Sequence, residues 1–238
     1  MKAIKNWIPN LLTLGNLTCG MLACWVAARN IPDYLETDFS QYDRWLYVAP
    51  SIFIFGAAII DFLDGFVARL LKVQSELGKQ LDSLADVVSF GVAPSFILLT
   101  YNYLGAFSPA ALLIGIFACV RLAKFNIDTR QSDSFLGLPV PSTGMIIASL
   151  PFVDKEGPLA FLLNQWVVGG LVVVLCALMV SELPLLAMKF KNFSLKDNIY
   201  RYAVLALGAA LLIFLGIQSL TLIILGYVLI SVIARKKK

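Results

Sequence analysis

Histidine is absent from this sequence, and cysteine is scarce. Without histidine the chain cannot form a Ser-His-Asp or Cys-His catalytic site. The four cysteines, Cys19, Cys24, Cys119 and Cys176, all lie in apolar runs, and none belongs to a Cys-x2-Cys pair. Such cysteines are typical of apolar packing positions, so the sequence indicates neither a zinc site nor a disulfide framework.

Charged residues are also few, at 14% of the chain against 59% hydrophobic residues. A soluble domain carries about 25% charged residues, and a helix needs about 20 apolar residues to cross a bilayer. We therefore predict an all-α, polytopic transmembrane bundle of about eight helices. Its predicted environment is the lipid bilayer, and we expect it to bind no nucleic acid. The predicted spans are Ile8–Ala28, Leu46–Leu71, Leu81–Tyr101, Ala106–Phe125, Leu138–Val153, Leu159–Val180, Tyr200–Phe214 and Gln218–Ala234.

Basic residues are distributed unevenly over the connections between these spans. If the N-terminus is cytoplasmic, only Arg29, Arg44 and Lys155 of the 19 lysines and arginines fall on the outer side. Cytoplasmic loops of membrane proteins carry the excess of lysine and arginine. The distribution predicts that both termini are cytoplasmic and that residues 61–64 lie in the cytoplasmic half of the second helix.

Four carboxylates interrupt the apolar runs between residues 61 and 86. Asp61 and Asp64 are three residues apart and Asp82 and Asp86 are four apart, so each pair shares one helix face. The polar segment 72–80 is long enough to turn the chain back, which would bring the two pairs together. Clustered carboxylates are costly in a membrane and cannot all stay ionised without a positive charge between them.

A hard divalent cation, Mg²⁺ or Mn²⁺, meets this requirement best, and two ions leave fewer charges unbalanced than one. Gly65, Ala68 and Gly78 lie close to the acids in sequence and leave room for a bulky ligand to approach the backbone. With Arg69 nearby, the arrangement suits a diphosphate substrate. A transporter with buried acids is the alternative from another class, but we see no internal repeat of the kind that transporters show.

The pattern Asp-x2-Asp-Gly-x2-Ala-Arg-x8-Gly-x3-Asp-x3-Asp over residues 61–86 resembles the signature of the CDP-alcohol phosphotransferases at every fixed position. Three later segments are similar to the CDP-diacylglycerol–serine O-phosphatidyltransferases within that family. They are Ser-Phe-Gly-Val-Ala-Pro at 89–94, Arg-Leu-Ala-Lys-Phe-Asn at 121–126 and Gly-Leu-Pro-Val-Pro at 137–141. Many members have arginine where this chain has Lys124, which keeps the charge but loses bidentate geometry.

The resemblance implies a membrane enzyme that transfers the phosphatidyl group of CDP-diacylglycerol to the hydroxyl of L-serine, giving phosphatidylserine and CMP. The predicted metal ligands are Asp61, Asp64, Asp82 and Asp86. Asp86 is also the predicted general base, which takes the proton of the serine hydroxyl as this hydroxyl attacks phosphorus directly. The predicted CDP-diacylglycerol-binding residues are Thr13, Asn16, Asp61, Gly65, Ala68, Arg69, Gly78 and Ser83. The predicted serine-binding or phosphate-binding residues are Arg121, Lys124, Asn126, Pro141 and Ser142.

Several alternatives stay open. Glycerol 3-phosphate and inositol phosphate would also favour Arg121 and Lys124, so charge alone does not identify the acceptor. Composition alone favours a role for these two cations as anchors to anionic lipid. The resemblance covers roughly residues 5–180 and also implies a homodimer. We predict a transmembrane core over 1–180 with its signature at 61–86, and a C-terminal helix pair with a basic tail over 181–238.

Overall fold

A computed structural model of the chain describes residues 2–29, 41–73, 75–128, 135–188 and 194–236. These residues are almost entirely helical, which confirms the all-α prediction. The elements in chain order are α1 Lys2–Arg29, α2 Gln41–Leu71, α3 Glu76–Asp86, α4 Ala93–Thr100, α5 Leu112–Ile127, β1 Phe135–Leu136, α6 Val140–Ser149, α7 Gln165–Val180, β2 Pro184–Leu185, α8 Leu195–Leu215 and α9 Leu220–Lys236.

Within the described ranges, five helical stretches are long and apolar enough to cross a membrane. They are Trp7–Arg29, Trp45–Leu71, Glu76–Thr100, Gly105–Ile127 and Asp197–Arg235, the last of which contains both α8 and α9. The fifth and sixth predicted spans coincide with shorter apolar helices, Val140–Phe152 and Gln165–Val180. The chain is thus a multi-pass helical membrane protein, whereas the count of eight crossings and the cytoplasmic position of both termini remain predictions.

Helix α3 continues into α4 through a π-helical segment, Val87–Val92, within the third predicted span. Pro94 has no N–H to donate, so the regular backbone ladder cannot continue unchanged here. The Ser95 hydroxyl donates to the carbonyl oxygen of Gly91 at 2.9 Å. The Ser95 side chain therefore satisfies one of the carbonyl groups in this segment. Irregular backbone is tolerated at membrane depth where it is buried in protein, as it is here.

Helix α1 packs against both α2 and α3, the two helices that carry the acids. Its approach to the π-helical segment is so close that a Cβ atom on Gly20 would lie 2.4 Å from Ser89 Oγ. Only glycine allows such a contact without displacing a neighbour. Fully buried side chains, among them Phe90 and Ile97, fill the core around α4 and α6. The signature helices are thus anchored on one side by α1 and on the other by the core.

The C-terminal helix pair joins the rest of the bundle through α9, which packs against α6 and β2. Ser149 Oγ and Thr221 Oγ1 form a buried hydrogen bond of 3.2 Å between α6 and α9. On α8, by contrast, Ile213 is 79% exposed and Phe214 is 84% exposed. Such side chains are compatible with a face toward lipid. The proposed division of the chain at residue 180 remains a prediction.

Candidate active site

The structure brings the four acids of the signature together. Asp61 and Asp64 lie on α2 and Asp82 and Asp86 on α3. Carboxylate oxygens of Asp61, Asp64 and Asp82 lie within 4.8 Å of one another. Asp86 lies one helical turn after Asp82 on α3 and is an electrostatic neighbour of Asp61 and Asp82. The helical spacing of each pair, the turn between α2 and α3, and the packing of both helices against α1 together bring the acids close to one another.

Helix α1 supplies neutral hydrogen-bond donors to two of these acids. The Thr13 hydroxyl donates to Asp64 Oδ2 at 2.7 Å, and Asn16 Nδ2 donates to Asp86 Oδ1 at 3.2 Å. All four side chains are buried. Asn16 Oδ1 has no hydrogen-bond partner among the described residues although it is buried. A buried acceptor without a partner is unusual and is a suitable position for a donor from a ligand or a water molecule.

The cluster fits a divalent cation. Carboxylate oxygens are the ligands that Mg²⁺ and Mn²⁺ prefer, and the four acids offer up to eight of them. In the described part of the chain, no lysine or arginine forms an ion pair with any of the four. Their mutual repulsion is therefore not offset by protein charge. Asp61, Asp64 and Asp82 are the residues whose geometry places them to hold a metal ion.

Beside the acids, a pocket of about 610 Å³ opens between α1, α2 and the start of α3. It is lined by Pro9, Asn10, Thr13, Asp64, Gly65, Ala68, Val73, Ser75, Glu76, Gly78, Lys79 and Asp82. A Cβ atom on Gly65 would meet no atom within 4 Å, so this glycine faces open space. A Cβ atom on Gly78 would lie 3.0 Å from Asn10 Oδ1 and 3.1 Å from Ser75 Oγ. Small residues thus keep the pocket open next to the acids.

Four polar lining residues were not predicted from the sequence: Asn10, Ser75, Glu76 and Lys79. Helical spacing contains the signal for two of them. Asn10 is three residues before Thr13, and Lys79 is three residues before Asp82, so each shares a face with a predicted site residue. Ser75 lies before the first residue of α3, and its hydroxyl accepts a hydrogen bond from the backbone N–H of Gly78 at 3.0 Å.

Arg69 and Ser83 do not line the pocket. Each follows a lining residue by one position, and successive residues of a helix point about 100° apart. Arg69 is exposed on α2. Ser83 points toward α5, where its hydroxyl accepts a hydrogen bond from Asn126 Nδ2 at 2.9 Å. The predicted roles of Arg69 and Ser83 in binding CDP-diacylglycerol remain predictions.

The predicted serine-binding residues lie at the end of α5 and the start of α6. Arg121 is 7% exposed, and its Nη2 donates to the carbonyl oxygen of Leu136, which ties α5 to the segment before α6. Lys124 is exposed, and Pro141 and Ser142 are half-buried in the first turn of α6. No hydrogen bond in the described ranges joins Arg121 to any of these three. Their role in binding serine or phosphate remains a prediction.

Comparison with known proteins gives concordant matches. The sequence matches the family model of the CDP-alcohol phosphatidyltransferases over residues 6–180, which contain the whole acid cluster. A Helicobacter pylori protein named CDP-diacylglycerol–serine O-phosphatidyltransferase is 31% identical over 234 residues, covering 94% of this chain and 89% of the relative. A Bacillus subtilis relative of the same name is 37% identical over 152 residues, covering 62% of this chain and 76% of the relative. A Methanocaldococcus jannaschii relative of the same name is 34% identical over 156 residues, covering 63% of this chain and 68% of the relative.

Proposed function

Since this chain belongs to the CDP-alcohol phosphatidyltransferase family, we propose that it transfers the phosphatidyl group of CDP-diacylglycerol to the hydroxyl of L-serine. The products are phosphatidylserine and CMP. The observation that carries the proposal is the cluster of Asp61, Asp64 and Asp82 beside an open pocket, in a chain whose relatives bear the name of the serine enzyme. The protein lies in the cell membrane as a homodimer, and its active site faces the cytoplasm.

The CDP group of the substrate occupies the pocket, and its acyl chains stay in the bilayer. Gly65, Ala68 and Gly78 leave space for the nucleotide next to the carboxylates. Asp61, Asp64, Asp82 and Asp86 would hold the divalent metal, Mg²⁺ or Mn²⁺, and their four charges would suit two ions. When bound, the metal supplies positive charge that offsets the charge of the diphosphate and of the departing CMP.

Asp86 is the proposed general base. It is 7% exposed and is oriented by the hydrogen bond from Asn16. The Asp86 carboxylate takes the proton of the serine hydroxyl while the serine Oγ forms a bond to the phosphatidyl phosphorus. The bond between this phosphorus and the oxygen of CMP breaks, and its electron pair leaves with CMP. Direct attack inverts the configuration at phosphorus and forms no covalent enzyme intermediate.

The serine carboxylate is assigned to Arg121 and Lys124, with Asn126, Pro141 and Ser142 around them. Arg121 is buried and has the acidic Asp128 as a neighbour. A buried cation in a membrane protein typically marks a functional site, and we assign its remaining donors to the serine carboxylate. A guanidinium has five N–H donors. The bond to the carbonyl oxygen of Leu136 uses one of them, so others are left for a bidentate contact with a carboxylate.

Release of CMP from CDP-diacylglycerol by the purified protein in detergent tests the proposal. Serine, glycerol 3-phosphate, inositol phosphate and no acceptor are compared with Mg²⁺, with Mn²⁺ and with a chelator. We expect release only with serine and a divalent metal. Release with a different acceptor would show that serine is not the substrate, while the transfer reaction typical of the family would stand. If folded protein released no CMP with any acceptor, the transporter hypothesis would take precedence.

A further inference from the structure

Lys79 is the cation of the pocket lining. Of the described residues around the pocket, it alone carries a positive charge, whereas Asp64, Glu76 and Asp82 are acidic. Arg69, the cation of the signature, lies outside this lining on the exposed face of α2. The pocket therefore contains a positive charge at a position that the signature does not specify.

The charge of Lys79 is not paired with a carboxylate. Its ammonium donates to the carbonyl oxygen of Asn126 at 3.1 Å, which is a neutral acceptor. Glu76 and Asp82 are each three residues away on α3, but no ion pair with Lys79 occurs in the part of the chain that the structure describes. An ammonium group has three N–H donors, so two remain for a ligand.

A small hydrogen-bond network holds Lys79 at the rim of the pocket. Asn126 Nδ2 donates to the Ser83 hydroxyl at 2.9 Å, and this hydroxyl donates to the carbonyl oxygen of Lys79 at 3.2 Å. The end of α5 is thereby linked to both the backbone and the side chain of Lys79. Lys79 thus lies one helical turn before Asp82 on α3, and its ammonium is held between the pocket and the end of α5.

We propose that Lys79 is a binding residue for the diphosphate of CDP-diacylglycerol. The inference rests on the proposed function, since it takes the pocket to be the nucleotide site. An ammonium that lines the same pocket as a metal-binding carboxylate, without an ion pair to it, suits an anionic oxygen of a phosphate group, for which lysine serves as a point charge. The neutral carbonyl of Asn126 orients the ammonium without neutralising it, so its full charge is available to the substrate.

The test compares ligands with and without phosphate in the full-length protein with Mg²⁺. Equilibrium binding of CDP and of cytidine is measured for the wild type and for Lys79→Gln, Lys79→Arg and Lys72→Gln. Lys72 is an exposed lysine just outside the pocket lining, so its variant controls for loss of one nearby charge. We expect Lys79→Gln to weaken CDP binding about tenfold and to leave cytidine unchanged. Lys79→Arg, which keeps the charge, should recover most of the affinity.

Kinetics separate a binding role from a structural one. For Lys79→Gln, the KM for CDP-diacylglycerol should rise about tenfold, while the KM for serine stays constant. Equal losses for CDP and cytidine, an unchanged CDP affinity, or equal changes in both KM values would overturn the proposal. A wild type that binds CDP but releases no CMP with any acceptor would refute the proposed function alone, because the ratio of CDP to cytidine binding still tests Lys79. A wild type that does not bind CDP would refute both.

Discussion

The acid cluster and the predicted serine-binding set are built in different ways. The acids come from two helices, and α1 holds two of them with buried hydrogen bonds from Thr13 and Asn16. The serine-binding set is divided between the exposed end of α5 and the first turn of α6, and its one buried cation, Arg121, bonds to a main-chain carbonyl. Both sets span a connection, but each pair of acids shares one helix face and the turn between α2 and α3 is short, whereas the connection from α5 to α6 is longer.

The largest effect is expected at Asp86, which is the proposed general base and also a predicted metal ligand. Asp86→Asn keeps the shape of the side chain but removes a base, so kcat should fall by about 10²–10⁴ with little change in the KM for CDP-diacylglycerol. Steady-state CMP release measures both parameters. Glu76→Gln is the matched control, because Glu76 lies at the exposed rim of the same pocket. A kcat within a few-fold of the wild type would exclude Asp86 as the base.

A smaller and more selective effect is expected at Arg121. If its guanidinium binds the serine carboxylate, Arg121→Ala should raise the KM for serine by about 10–100-fold and leave the KM for CDP-diacylglycerol nearly constant. Lys124→Ala, which removes an exposed cation one helical turn away, should have a weaker effect. Equal rises in both KM values would show that Arg121 serves only to tie α5 to the segment before α6.

Much of this arrangement follows from helical periodicity. The four acids were predicted to meet because their spacing is helical, and Asn10 and Lys79 share faces with predicted residues. Arg69 belongs to the signature but lies one position beyond a lining residue, so it points away from the pocket. Membership of a motif does not specify the direction of a side chain. The network that joins Lys79 to the end of α5 depends on tertiary packing, for which the sequence contains no periodic signal.

Thr13 tests whether α1 orients the acid cluster. Thr13→Val removes the donor to Asp64 Oδ2 but keeps a β-branched side chain. Because partners of metal ligands orient those ligands, the Mg²⁺ concentration for half-maximal activity should rise about tenfold. Thr18→Val is the control on the same helix, since among the described residues the Thr18 hydroxyl bonds only to the carbonyl oxygen of Leu14 in its own helix. Equal metal requirements in the two variants would contradict this role of Thr13.

The smallest effect is expected for Gly65→Ala. This variant tests whether the open space at Gly65 is used by a ligand or is needed only for folding. A Cβ atom would meet nothing within 4 Å at Gly65, and the same holds for Gly170 on α7. Alanine for glycine in a helix favours the helical state by about 1 kcal/mol, so neither Gly65→Ala nor Gly170→Ala should lower the thermal stability.

At Gly65, however, the added methyl group enters the pocket that the nucleotide is proposed to fill. A steric cost of about 1 kcal/mol would raise the KM for CDP-diacylglycerol about fivefold. Gly170→Ala should leave this KM unchanged, because Gly170 is not among the lining residues. The KM for serine serves as the internal control, since the acceptor is assigned to α5 and α6. A Gly65→Ala enzyme with a normal KM for CDP-diacylglycerol would mean that the nucleotide does not approach α2 at this turn, although the pocket is open there.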